Sequence, residues 1–172
     1  APLKAFEHVK THEDFIDTQT SDGIMLPFQE HNKDVFLFGC YLNHSHDQVN
    51  KLEANSRITK GYIDVARRHK VKLVGTETFT LNENGKPHPL DHTDQGYYAF
   101  LKNIEHLVAY AEDNKVFFGI EPAFHHIICD IERTKRLLRD LSSRSVRLIF
   151  DPCNLMTPEL AKNQKGFFED YF

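Results

Sequence analysis

Apolar, β-branched and aromatic residues gather in four short runs, at positions 35–41, 71–76, 116–120 and 146–150. Each run is nearly continuous in hydrophobicity rather than alternating, the pattern of a strand buried on both faces. Between the runs, apolar positions recur at a helical period. Leu52, Ile58, Tyr62 and Ala66 share one face of a helix that ends near Arg68. Phe100, Leu101, Ile104, Leu107, Val108 and Ala111 form a stronger stripe, with Thr93 or Asp91 available as its N-cap. Asp130 is placed to cap a third helix, on which Thr134, Leu138 and Leu141 fall at helical spacing before Ser142 and Ser143 end it. A last helical stretch is expected over 158–172. Ahead of the first strand, 3–15 reads as helix and 18–23 as a polar turn.

Strand and helix thus alternate, and right-handed βαβ units in series make a parallel sheet with helices outside it. No low-complexity segment or linker divides the chain, so 1–172 reads as a single domain. In parallel α/β folds, chemistry collects where the loops leave the C-terminal ends of the strands. Those ends carry Asn43, Glu77, Glu121-Pro122 and Asp151-Pro152 in order, so each strand delivers a polar or acidic side chain to one rim.

Glu121 and Asp151 end consecutive strands, and adjacent strands lie about 4.8 Å apart. Carboxylates that close repel, and one pKa rises unless a cation lies between them. A divalent metal with oxygen and imidazole ligands would resolve the repulsion. A pair of helix-capping or salt-bridged acids explains the same spacing, and spacing alone leaves both readings open. His125 and His126 follow closely enough for one to turn into the same cavity. No Gly-rich phosphate loop, nucleophile elbow or HExxH motif occurs. Cys40 and Cys153 read as small apolar residues near strand ends, and the 14 Phe and 6 Tyr as core.

Composition narrows the partners. At 172 residues the chain can bury a real core. Its net charge of -4, with Lys and Arg scattered, lacks the concentrated basic footprint of a nucleic-acid binder. No apolar run approaches the roughly 18 residues of a membrane span. Three cysteines without a CxxC pair suggest a reducing, cytoplasmic setting. A first residue that is Ala rather than Met is read as a sign that residues precede it.

The segments Gly39-Cys40-Tyr41-Leu42-Asn43, Val74-Gly75-Thr76-Glu77-Thr78, Ile120-Glu121-Pro122 with His126-Ile127, and Ile149-Phe150-Asp151-Pro152-Cys153-Asn154-Leu155 occur in that order. As an ordered set, from about 35 to 155, they resemble the xylose isomerase-like TIM-barrel superfamily, in its branch of predicted sugar phosphate isomerases and epimerases. The resemblance implies an α/β fold of the (β/α)8 TIM-barrel type with a divalent metal, Mn, Mg, Co or Zn, at the C-terminal rim. A Glu from the fifth strand and an Asp from the sixth bind that metal in such enzymes, and Glu121 and Asp151 occupy those positions. The remaining ligands, a His and a Glu, come from strands seven and eight, which are absent here. Asn43, Glu77, His126 and Asn154 match positions near the substrate. Phe79 departs from the pattern, standing where the branch usually carries Gly after Thr-Glu-Thr, and its ring would narrow the pocket.

A full barrel takes about 250 residues. Four clear βα units are therefore expected as a partial barrel: a fragment, a truncated product, or a chain completed by a second copy that covers the open sheet. The implied activity is metal-dependent isomerisation or epimerisation of a small sugar or sugar phosphate, with Glu121, or a Glu beyond this chain, moving a proton through an enediolate. Two other readings stand beside it. One is a zinc hydrolase like the apurinic-site endonucleases, although His12, His69 and His106 lie away from the strand ends and the negative charge disfavours duplex binding. The other is a truncated, non-catalytic barrel kept as a binding module.

Overall fold

The computed structural model describes Phe6 and residues 9–45, 48–82 and 85–171. Four parallel strands, β1 (Leu37–Gly39), β2 (Leu73–Glu77), β3 (Phe117–Glu121) and β4 (Val146–Leu148), pair side by side in chain order. The short helices α1 (His12–Ile16) and α2 (Thr18–Glu30) precede the sheet. The crossovers are α3 (Val49–Arg68), α4 (Asp94–Asp113) and α5 (Ile131–Leu141). After β4 come α6 (Pro152–Leu155), a 3₁₀ turn (Leu160–Asn163) and α7 (Gln164–Tyr171). The partial α/β barrel expected from the sequence is therefore present as four adjacent strands and their helices.

Local chemistry explains most boundaries. Thr93 rather than Asp91 caps α4, accepting from Gly96 N–H, while Asp91 accepts from the N–H groups of Leu81 and His88 and holds the preceding loop. Asp130 caps α5 through Arg133 N–H at 2.8 Å. On α5 the buried residues are the expected Thr134 and, in place of the expected Leu138, its neighbour Leu137; Leu138 is exposed. Asn32, Lys70, Lys115 and Ser142 follow α2 to α5 and adopt left-handed backbone, with φ of 49°, 59°, 58° and 46°. After α3 and α4 this turn lets Val71 N–H reach Ala66 O and Val116 N–H reach Ala111 O, closing the helix ends and aiming the chain into the next strand.

The N-terminal expectations need correction. Residues 18–23 are not a turn but the first half of α2: Asp17 caps Thr20 N–H, the Ser21 hydroxyl donates to Asp17 O, and Ile24 and Met25 bury behind it. The polar stretch is a helix whose apolar face begins one turn later. Of the helix expected over 3–15, the described residues are helical from His12 onward, started by a capping box between Thr11 and Asp14. Residues 3–5, 7 and 8, like Phe172 at the end of the last expected helix, lie outside the described residues. β1 and β4 are shorter than their apolar runs, since the chain leaves the sheet where Tyr41 and Asp151 begin the rim loops.

The two faces of the sheet differ. Phe38, Val74 and Phe118 turn toward the helices and join Ile63, Phe100, Ile104 and Leu107 in the core. The other face carries Gly39, Gly75 and Gly119, aligned in register across three strands. The missing side chains are filled from above. Ile149 Cδ1 lies 2.5 Å and 2.7 Å from where Cβ atoms on Gly75 and Gly119 would stand, and Tyr41 Cε2 lies 2.8 Å from one on Gly39. This glycine row is the floor beneath the candidate site. Among the described residues no helix is long and apolar enough to cross a membrane.

Candidate functional site

Two residues beyond each glycine, a strand returns a side chain to the same face. The repeat is Gly39-Cys40-Tyr41, Gly75-Thr76-Glu77 and Gly119-Ile120-Glu121. Glu77 and Glu121 are direct register partners on β2 and β3. Glu121 is buried at 7% exposure, with each oxygen engaged. The Tyr41 hydroxyl donates to Oε2 at 3.1 Å, and Asn154 Nδ2 donates to Oε1 at 2.7 Å.

The electrostatics follow from this crowding. Burial, and then the charge of Glu121, hold the Glu77 carboxyl above the ordinary carboxylate range. Burial together with Glu121, Glu77 and Asp151 pushes the Tyr41 phenol up to about 12. Tyr41 therefore feels all three acids of the rim and remains a hydrogen-bond donor at neutral pH.

His126 Nε2 stands 3.8 Å from Glu77 Oε2. Burial, reinforced by His125, brings its imidazole down to about 4, so at neutral pH this is a contact with a neutral ring rather than an ion pair. Its Nδ1 is buried without a hydrogen-bond partner. Phe79 stacks on the imidazole, with centroids 5.5 Å apart and planes 19° from parallel. Phe79 has φ of 53°, in the left-handed region that favours glycine, so this position has the backbone a Gly would take most easily. Ile127 N–H bonds Phe79 O at 2.9 Å, tying the loop after β3 to the loop after β2.

A cavity of about 320 Å³ opens here, lined by Glu77, His126 and Asn154 together with Phe124, Cys153 and Met156. Asp151 lies at the end of the β4 run, and its Oδ1 caps α6 through Cys153 N–H at 2.8 Å. Asn43 stands apart from this group. Its Nδ2 donates to Thr80 O and its Oδ1 accepts from Ser45 N–H, so its amide ties the loops after β1 and β2 together. The structure thus brings Glu77, Glu121, His126 and Asn154 to one place with Asp151 beside them. It adds Tyr41, which strand-end reading passed over although the repeated Gly-x-polar pattern marks it.

Among the described residues, no three His, Cys, Asp or Glu side chains converge as a metal cage. The donors that are present suit part of one. An ionised carboxylate offers about four lone-pair sites, and the two donors on Glu121 occupy one on each oxygen. Oxygen donors of this kind suit hard divalent cations, and the repulsion felt by Glu77 is of the sign a cation would offset.

Comparison with known proteins agrees with this architecture. The family model described as xylose isomerase-like TIM barrel matches residues 27–170. The solved structure of a D-tagatose 3-epimerase-like protein superposes with a TM-score of 0.71 at 15% identity, covering 91% of this chain and 58% of that one. The 3-keto-D-glucoside 4-epimerase YcjR from E. coli, in its apo form, gives 0.65 at 13% identity, covering 91% and 63%. A xylose isomerase-like TIM barrel protein from Mycobacterium smegmatis, in complex with magnesium, gives 0.66 at 14% identity, covering 88% and 53%. The chain therefore spans between 53% and 63% of the length of these three neighbours. No curated protein matches it by sequence. With the parallel sheet, the acidic rim and a family match over most of its length, the chain belongs to the xylose isomerase-like TIM barrel family.

Proposed function

We propose that the protein is a sugar isomerase or epimerase that shifts a proton between neighbouring carbons of a small ketose, aldose or sugar phosphate. The observation that carries the reading is the acidic row itself: Glu77 and Glu121 side by side on adjacent strands, with Asp151 close enough to act on the same phenol. Such a rim serves proton transfer next to a carbonyl, and among the described residues burial raises the thiol pKa of Cys40 and Cys129, which disfavours either as a nucleophile. The epimerase names among the structural neighbours support the same class.

In this reading Glu121 and Asp151 would hold a divalent metal together with ligands from outside this chain. When bound, the ion would polarise the substrate carbonyl and lower the acidity barrier at the adjacent carbon. Glu121 would take the carbon-bound proton and return it, with Asn154 holding its Oε1. Glu77, its carboxyl held above the ordinary carboxylate range by burial and by Glu121, would exchange protons with substrate hydroxyls. His126, neutral and stacked on Phe79, would offer a ring nitrogen to a hydroxyl without adding charge.

The test is epimerisation and isomerisation of a panel of ketoses and their phosphates by the complete protein in D₂O, with Mn²⁺ and with chelator. Turnover with deuterium appearing at the reacting carbon is the expected result. Absence of turnover across the panel, or turnover in which the carbon keeps its original hydrogen, would overturn it.

A further inference from the structure

We propose that Tyr41 is a positioning residue for Glu121: its ring, seated over the bare backbone of Gly39, delivers the hydroxyl to Oε2 while Asn154 holds Oε1. The inference rests on the proposed role of Glu121 for its purpose, and on the geometry alone for its existence. Three observations combine. A Cβ on Gly39 would stand 2.8 Å from Tyr41 Cε2 and 3.4 Å from Cδ2 and Cζ, so this ring orientation needs glycine beneath it. The hydroxyl lies 3.1 Å from Oε2, at the long end for such a bond. Tyr41 remains 44% exposed, so core packing does not account for the choice of residue.

The arrangement has a chemical consequence. Bonds from the loop after β1 and from α6 engage the two oxygens of Glu121, one donor to each, which resists rotation of the carboxylate. A carboxylate fixed by outer donors binds a metal more tightly than one free to rotate, and losing such a donor commonly costs 10- to 100-fold in affinity.

The test uses Tyr41→Phe, which keeps the ring on its seat and removes only the hydroxyl. Protein labelled with ¹³C-carboxyl glutamate, assigned through Glu121→Gln, gives the Glu121 resonance directly. Mn²⁺ alone, in equilibrium dialysis, gives the affinity. In Tyr41→Phe the Glu121 resonance should move without metal and Mn²⁺ affinity should fall about tenfold. Gly39→Ala leaves the hydroxyl present but fills the seat, and should produce both changes, which keeps the test open if the first variant folds poorly. An unmoved resonance, or a moved one with Mn²⁺ affinity within about twofold of the parent, would overturn the proposal. A parent that binds no Mn²⁺ counts against the metal centre and not against Tyr41. In that case the resonance alone decides: a shift supports the brace and its absence refutes it.

Discussion

Replacing Glu77 with Gln should make the metal-free protein more stable at neutral pH, and the gain should vanish in acid. Glu77 and Glu121 are register partners, on strands about 4.8 Å apart. Two unit charges at that spacing repel by about 3.5 kcal/mol at an effective dielectric of 20 and about 0.9 kcal/mol in bulk water. Glu121 is 7% exposed and the Glu77 side chain 29%, so the local response lies between those limits. The carboxylates can also splay apart, so about 1 kcal/mol is expected to survive. His126 offers no relief, because its imidazole is neutral above about pH 4.

The pH dependence has a definite sign. A carboxyl whose folded pKa is raised binds more protons folded than unfolded, so stability falls as pH rises from its ordinary value of 4.5 through the folded one. Glu77→Gln removes that loss. Urea unfolding of parent and variant in chelator should give equal stability near pH 4 and a variant about 1 kcal/mol more stable near pH 8. A variant that is less stable at pH 8, or whose advantage is the same at both pH values, would refute the reasoning.

Four further outcomes follow from the same geometry. Lys70→Gly and Lys115→Gly should each stabilise by about 0.5–1 kcal/mol, since both lysines occupy left-handed backbone that glycine adopts freely, as thermal melts will show. Asp151→Ala should lose both Mn²⁺ retention and about 1 kcal/mol of stability, because it removes the cap on α6, whereas Asp151→Asn should keep the cap and lose only the metal. Gly119→Ala should cost about 1–3 kcal/mol in chemical unfolding, its Cβ meeting Ile149 Cδ1 at 2.7 Å and Leu73 Cδ1 at 3.0 Å. The His126 ring resonances should titrate near pH 4 by NMR, and stability should fall between about pH 6.5 and 4 by an amount that His126→Phe abolishes.

Much of the architecture was legible because it rests on local chemistry. The four apolar runs become the four strands, and Thr93 and Asp130 cap the helices that follow them. The misreadings have local causes too. Residues 18–23 looked like a turn because Ser and Thr favour turns, yet Asp17 and Ser21 spend their side chains on the backbone of α2. Leu138 and Leu137 are adjacent on α5, and only the angle at which α5 meets the sheet decides which one is buried.

The site divides in the same way. Glu77, Glu121 and Asp151 could be named from strand ends, because a parallel sheet sends every strand end to one rim, whereas Asn154, and His126 over its neighbour His125, were named only by resemblance. Asn43 satisfied the same rule, but its amide is taken up by neighbouring loop carbonyls that sequence separation conceals. Tyr41 gained a place through contacts 80 residues away.

The order of the four strands and the helices between them, the Asp130 cap and the acidic rim were thus settled by the sequence alone, because each depends on residues within a few positions of one another. Only the tertiary structure decided that Gly39, Gly75 and Gly119 form one row, that Tyr41 lies down on it to meet Glu121, and that Phe79 faces His126. Those facts depend on strand register and loop closure, which are fixed by hydrogen bonds between distant segments and leave no local pattern to read.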